Sequence, residues 1–222
     1  YSFVVNLGGY VDNSNKKKII KDHFNGCKNL CEILNRKKLI TFVQMGSSLE
    51  YGKLKPPHDE KTKLKIPRSN YAKSKFMATN YLINLFKKDK FPAVIFRLYQ
   101  TYGPYQDENR FIPFIIKSSI KNLDFPCSNG NQSRDFVYIK DLIDCIFLSF
   151  NNSKSLGQII NIGSGKPIKI RKIINFIVNY INSGTPKYGK IKLRKNEIVT
   201  SYPKIVKSKN ILGWKPKVNL YY

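Results

Sequence analysis

Strand-like and helix-like segments alternate through the first hundred residues, and this alternation narrows the fold more than any other feature of the chain. Phe3 to Leu7 reads as a strand, 16 to 35 as a helix, Leu39 to Gln44 as a strand, 69 to 88 as a helix, and Ala93 to Leu98 as a strand. Strands separated by helices of this length imply parallel βαβ units with helices on both sheet faces. Ligands in such sheets bind beyond the carboxyl ends of the strands. Three loops leave those ends: Gly8-Gly9, Gly46-Ser47-Ser48, and Tyr99 to Pro104.

After about residue 106 the pattern loosens. Helical signals at 110 to 121, 139 to 150 and 168 to 182 are interleaved with strand-like pieces at Gln158 to Ile162 and Lys190 to Leu193. The expectation is a sheet-bearing part over 1–118 and a smaller lobe over 119–222 that mainly covers and binds substrate, with segments around 135–165 returning to the core. No internal repeat or low-complexity linker interrupts the chain.

With 222 residues, 41% of them hydrophobic, the chain can bury a real core. No apolar run reaches the roughly 18 residues of a membrane span. Neither a signal peptide nor a disulfide framework is visible, so a reducing cytoplasm is the expected setting. The chain opens at Tyr1 directly in an apolar run and stops abruptly at Tyr221-Tyr222, which reads as a fragment with sequence missing on both sides.

The formal charge of +26 raises nucleic acid as a partner. Its distribution argues against that, because the longest basic run is Lys16-Lys17-Lys18 and no aromatic-basic recognition motif appears. A lysine-rich surface is the simpler reading, and it would favour an anionic substrate such as a diphosphate. Cys27, Cys31, Cys127 and Cys145 have no CxxC or metal-ligand spacing, and no metal is expected. Cys27 and Cys31 share a helix stripe with Ile20, Phe24 and Leu34 and read as core. His23 and His58 have no partner pattern and no expected catalytic role.

The spacing Tyr-x-x-x-Lys occurs three times, at Tyr51 to Lys55, Tyr71 to Lys75 and Tyr188 to Lys192. A phenol and an ammonium four apart share one helix face, where the cation can lower the phenol's pKa toward neutral. Gly52 and Gly189 follow the outer two tyrosines and mark turns. Only Tyr71 lies in a good helix, started by Pro67 and Ser69 and carrying Ala72, Phe76, Thr79, Ile83 and Phe86 at helical spacing. Ser47, 24 residues earlier on a neighbouring strand-end loop, is a candidate for the hydroxyl that would orient a substrate oxygen beside the pair; a serine-rich turn and a solvated Tyr/Lys helix face are the competing readings.

Taken in order, these segments resemble the extended short-chain dehydrogenase/reductase family, in particular its NAD-dependent nucleotide-sugar epimerases and dehydratases. Gly46 to Gly52 resembles the family's serine loop ending in Tyr-Gly, and Tyr71 to Lys75 its Tyr-x-x-x-Lys. Arg97 to Pro104 is similar to its Arg-x-x-Asn-x-Tyr-Gly-Pro segment, and Arg134-Asp135-Phe136 with Asp141 to its Arg-Asp-Phe motif. Asn161 to Gly165 and Leu212 to Pro216 resemble later signatures. The family's glycine-rich dinucleotide fingerprint is not in the sequence. Tyr1 to Gly9 resembles the fourth strand of the family's sheet, so the chain as it stands is expected to bind NAD poorly.

The resemblance implies an incomplete Rossmann-type, doubly wound parallel α/β sheet with a smaller C-terminal α/β substrate lobe, in which 1–118 is the catalytic, C-terminal half of a dinucleotide-binding domain. It implies that Tyr71 acts as general acid/base on a sugar hydroxyl, with Ser47 sharing the proton and Lys75 holding the ribose of NAD or NADP and depressing the phenol's pKa. Leu7, Gly8 and Tyr99 would line the cofactor. Arg134 would pair with the diphosphate of a nucleotide-diphosphate sugar, and a structural ion pair with the carboxylates around Asp135 and Asp141 is the competing reading. Gln100, where the family usually has Asn, and Arg110 or Asn109 would face the substrate. Sugar 4,6-dehydratases carry Asp-Glu where this chain has Ser48-Leu49, and leucine cannot move a proton, so a 4-epimerase-like activity is expected. Glu50, one position further on, is expected to point away from the site. A nucleotide-4-keto-sugar reductase and a non-catalytic relative that binds anions or RNA are the alternatives. The family often forms homodimers through the helix that here carries Tyr71, and burial of that helix against the sheet would use the same stripe.

Overall fold

The computed structural model describes residues 1–9, 15–193 and 197–221. The first half supplies β1 (Phe3–Asn6), α1 (Lys16–Ile20), α2 (Gly26–Ile33), β2 (Thr41–Ser47), α3 (Asn70–Asp89) and β3 (Ala93–Leu98). β4 (Gln100–Tyr102), α4 (Phe111–Ile120), β5 (Asp124–Pro126), β6 (Ser133–Arg134), β7 (Phe136–Tyr138) and α5 (Ile139–Ser149) follow. The chain continues through β8 (Ile159–Ile162), β9 (Ile168–Lys169), α6 (Ile170–Ile181), β10 (Thr185–Lys187), β11 (Thr200–Ser201) and α7 (Val206–Leu212).

The main sheet runs β1-β2-β3-β8 with every pair parallel, in a register that sets Phe3 beside Thr41, Phe42 beside Ala93 and Ile95 beside Ile159. Period-two alternation then sorts the side chains onto two faces. Val43, Met45, Val94, Phe96, Ile160 and Ile162 meet α5 and Trp214 on one side. Phe42, Ala93 and Ile95 meet Cys27, Cys31, Ala78 and Leu82 on the other. Both faces are therefore covered by helices, as the alternating pattern predicts.

The expected helix over 16 to 35 is broken by a π-helical turn at Lys21–Asn25 between α1 and α2. That wider turn suits a spacing of four, so the most buried positions are Ile19, His23, Cys27 and Cys31. The predicted stripe through Ile20 and Phe24 is shifted by one residue, and His23 lies on the buried face. α3 starts as predicted: the Ser69 hydroxyl accepts from the Ala72 amide at 3.2 Å, and Lys90 ends the helix in the left-handed conformation. Its face toward the sheet carries Ala72, Lys75, Thr79 and Leu82.

Beyond β3 the short strands form small sheets: β4 with β7, β5 with β10, and β6 between β11 and β9. Ile115, Phe125, Phe136, Ile170, Ile173 and Ile174 close a third apolar cluster between α4 and α6. The predicted strand at Lys190 to Leu193 does not form. Among the described residues the segment makes one backbone bond, from Ile191 N to the Cys127 carbonyl at 3.0 Å, and its side chains line a cleft. Asp141 ties the end of the chain to α5: its side chain accepts from Val218 N at 3.0 Å, and its carbonyl accepts from Trp214 Nε1 at 2.8 Å. Among the described residues no helix is long and apolar enough to cross a membrane.

Candidate active site

The carboxyl ends of β1, β2 and β3 lie side by side, and β2 ends on Ser47. Ser47 caps a short 3₁₀ turn, Ser48–Tyr51: its hydroxyl accepts from Leu49 N at 3.2 Å, while its own amide donates to Glu50 Oε1 at 2.9 Å. This is a capping box, and the Ser-x-x-Glu spacing of Ser47 and Glu50 is its sequence signature. α3 brings Tyr71 against this turn, close enough for the Ser47 hydroxyl to act on the phenol.

Lys75, one turn further along α3, is 5% exposed. Its Nζ donates to the Met45 carbonyl at 2.8 Å and lies 5.9 Å from the centre of the Tyr71 ring. Burial lowers its pKa to about 8, against the opposing charges of Glu50 and Cys27. Tyr71 titrates above the usual phenol range because burial outweighs the lowering influence of the Ser47 hydroxyl and the charge of Arg110, and Glu50 pushes the same way as burial. This corrects the expectation that Lys75 depresses the phenol. The ammonium is committed to a backbone carbonyl beside the ring, and the lowering influences on Tyr71 come from Ser47 and Arg110.

Beneath the turn lies a polar network that sequence reading missed. Glu50 Oε2 pairs with Arg97 Nε at 3.0 Å with the two side chains 0% and 3% exposed. The Arg97 guanidinium sits 4.8 Å over the Tyr51 ring, and Tyr51 donates to Asn161 Oδ1 at 2.9 Å. Tyr51 stacks on His58, whose Nδ1 meets the Tyr99 hydroxyl at 2.7 Å and whose Nε2 meets the Leu54 carbonyl at 3.1 Å. Burial holds His58 below the ordinary imidazole pKa. Tyr99, expected to line the cofactor, has its phenol committed to this network, which leaves only its backbone for that part. The expectation that Glu50 points away holds for the open cleft, yet its charge reaches Tyr71 and Lys75 from below. His23, also set aside, packs its ring edge-on against Tyr71 with centroids 5.1 Å apart and fills the space a side chain at Gly9 would need.

The other predicted residues spread around this centre. Leu7 and Gly8 are exposed at the end of β1, where Gly8 N donates to Asn6 Oδ1 at 3.1 Å. Arg110 is exposed at the start of α4. Gln100 and Arg134 line a separate cleft of about 480 Å³ with Phe111, Ile174, Lys192 and Glu197. Arg134 Nη2 pairs there with Glu197 Oε1 at 2.5 Å. The competing reading of Arg134 is thus half right: it does make an ion pair, but not with Asp135 or Asp141. Asp135 turns inward to accept from the Ser164 amide at 2.6 Å and hydroxyl at 3.0 Å, with burial raising its pKa to about 6.

Residues 1–163 match the family model described as NAD dependent epimerase/dehydratase family. The chain belongs to that family. Among curated relatives, this epimerase/dehydratase chain is 30% identical over 128 residues to a CDP-abequose synthase of Salmonella typhimurium, covering 54% of this chain and 42% of that one. It is 33% identical over 131 residues to a putative UDP-glucose 4-epimerase of Methanocaldococcus jannaschii, covering 57% and 41%. The chain thus spans less than half the length of these relatives. Pal from Bacillus thuringiensis superposes with a TM-score of 0.88 at 26% identity over 100% of this chain and 73% of that one. A UDP-glucuronic acid 4-epimerase from Bacillus cereus, solved with UDP-glucuronic acid and NAD, gives 0.89 at 23% identity over 99% and 72%, a likeness of fold.

The residues present fit one end of a nicotinamide cofactor. The buried Lys75 ammonium lies by the Tyr71 ring at the carboxyl end of β2, and at the end of the neighbouring β1 the Gly8 backbone is exposed, where a Cβ would crowd Asn6 Oδ1 at 3.2 Å. Lys75, Tyr71 and the backbone at Leu7, Gly8 and Tyr99 are the groups that would hold it.

Proposed function

We propose that this chain carries the catalytic half of an NAD(P)-dependent nucleotide-sugar 4-epimerase. The reading rests on one observation above the rest: a serine hydroxyl at the end of a parallel strand set close enough to a tyrosine to act on its phenol, with a buried lysine one helical turn on. The family match and the curated epimerase relatives support it.

Bound NAD or NADP would supply reversible hydride exchange at a sugar carbon. The chain's own residues move the proton. Ser47 and Tyr71 hold the sugar hydroxyl between them, and Tyr71 exchanges its proton with that oxygen. The phenol rests protonated, so giving a proton back to a keto oxygen is its easier step. Accepting one requires Lys75 to turn from the Met45 carbonyl toward the phenol oxygen, where its charge would favour the phenolate. Arg134 takes the diphosphate by exchanging Glu197 for phosphate oxygens, and Gln100 contacts the sugar from the same cleft. Arg110 adds positive charge near Tyr71. Ser48 and Leu49 provide no second acid/base pair, which argues for epimerisation over 4,6-dehydration.

Tyr71→Phe is expected to lower turnover by about 10²–10⁴-fold. Interconversion of a nucleotide-diphosphate hexose and its C4 epimer, with NAD and no added reductant, is the assay. Full activity in the variant would remove Tyr71 from the mechanism, and strict dependence on added NADPH would reassign the protein as a 4-keto-sugar reductase. RNA binding with a steep salt slope and no sugar turnover would make it a binding module. A homodimer through α3 would appear as a doubled mass in solution, and the cytoplasm is the proposed setting.

A further inference from the structure

The Glu50–Arg97 pair has no part in the proton transfer just described, yet it is built into the turn that carries Ser47. Glu50 uses its two oxygens on two different elements: Oε1 receives the Ser47 amide at 2.9 Å, and Oε2 receives Arg97 Nε from β3 at 3.0 Å. The seat is shaped for it. A Cβ on Gly46 would stand 2.7 Å from Glu50 Oε1 and 3.1 Å from the Phe96 carbonyl, so only glycine leaves the carboxylate its place. Arg97 is held in turn from its other side, with its guanidinium over the Tyr51 ring. Among the described residues this is the one ion pair in which both side chains are shut off from water.

We propose that Glu50, clamped by Arg97, is a positioning residue for the Ser47–Tyr71 pair: it fixes the Ser47 turn beside the phenol and sets a buried negative charge beneath Tyr71 and Lys75. This deepens the proposed function and rests on Tyr71 being the proton-transfer group. A helper of this kind suits a site that must both give and take a proton at one oxygen. Among the described residues, the groups that face Tyr71 are Ser47, Glu50, Arg110, the His23 ring and the Lys75 ammonium; those facing Lys75 are Glu50, Cys27 and the Met45 carbonyl. Among the described residues Glu50 is the acidic side chain that acts on both, and it works in the same direction on each, favouring the protonated form.

The test is a titration of this chain with ¹³Cζ-labelled tyrosine, in which loss of one signal in Tyr71→Phe assigns residue 71. Glu50→Gln keeps an oxygen for the Ser47 amide and removes the charge. The Tyr71 midpoint is expected to fall by about one pH unit, while Glu32→Gln, an exposed acid paired with Lys28, leaves it unmoved. Glu50→Asp keeps the charge and withdraws the carboxylate, so the Ser47 amide should exchange with solvent at least tenfold faster while the Tyr71 midpoint stays high. A Tyr71 midpoint unchanged in folded Glu50→Gln, or a Ser47 amide equally protected in Glu50→Asp, overturns the proposal. Failure of both variants to fold also overturns it, because Glu50 would then belong to the folding core alone. The titration reads Glu50 without turnover, so loss of the epimerase reading through an active Tyr71→Phe would be seen separately.

Discussion

Lys75→Met should make the protein more stable at neutral pH and inactive. Lys75 is 5% exposed, and burial depresses its pKa from 10.5 to about 8. The folded state thus binds the proton less tightly than the unfolded chain does. Between the two pKa values the unfolded chain holds more protons, so stability rises as pH climbs from about 8 toward 10.5. Below 8 the ammonium stays charged in both states, and the full cost of its burial is present. A shift of this size corresponds to about 3 kcal/mol, of which about 2 kcal/mol should be recovered between pH 7 and 9.5.

Methionine is unbranched like lysine, ends one heavy atom short of the ammonium, and carries no charge to desolvate. It also leaves no carbonyl unsatisfied, because the Met45 oxygen that receives Nζ at 2.8 Å also receives the Gln44 side-chain amide at 3.1 Å. Glu50 keeps Arg97 as its partner. Urea unfolding of wild type and Lys75→Met at pH 7, 8, 9 and 9.5 measures the difference, and subtraction removes other groups that titrate in this window. The variant should be more stable at pH 7 by about 2–3 kcal/mol, with the gap closing toward pH 9.5. A gap that is constant with pH, or a variant less stable at pH 7, would refute the account of Lys75 as a buried cation held at a cost.

Two further outcomes follow from the surrounding contacts. His58→Phe keeps the ring stacked on Tyr51 but orphans the buried Tyr99 hydroxyl and the Leu54 carbonyl; each loss costs about 1–3 kcal/mol, and adding Tyr99→Phe should recover part of it in a double-mutant cycle by urea unfolding. Glu197→Ala frees Arg134 from its ion pair, so KM for the nucleotide sugar should fall several-fold at constant kcat, whereas Arg134→Ala should raise KM by about tenfold or more; unchanged KM in both variants would remove Arg134 from the substrate site.

The sheet was legible because its information is local. Val43, Met45, Val94 and Phe96 alternate with Phe42, Ala93 and Ile95, and period two in a strand needs no knowledge of distant contacts. The start of α3 was legible for the same reason, through Ser69. Register within the 16–35 helix was not, because the π turn at Lys21–Asn25 follows from packing of His23 against Tyr71 and the Gly9 backbone, contacts made across the sheet end. The Ser47, Tyr71 and Lys75 constellation could be read from order and spacing. Its electrostatics could not, because the pKa of Tyr71 depends on burial and on Glu50, and the pairing of Glu50 with Arg97 spans 47 residues. The Ser-x-x-Glu spacing was the available signal for Glu50, and it points to a cap, not to an acid in the cleft.

The site divides its charges by how firmly they are held. Glu50 is fixed from two elements and Arg97 from two sides, so moving either means breaking a pair that has no water to replace it. Lys75 makes a single bond to a carbonyl that keeps another partner when the ammonium leaves. The same burial acts on all three, yet only Lys75 can change partners at small cost. In the proposed mechanism this asymmetry would have a use: the serine turn would hold the substrate oxygen in place, while a change of partner by Lys75 would set whether the phenol gives or takes the proton. The buried pair beneath Ser47 and the singly bonded lysine beside Tyr71 would then work as two halves of one arrangement, the first fixing the place toward which the second would turn.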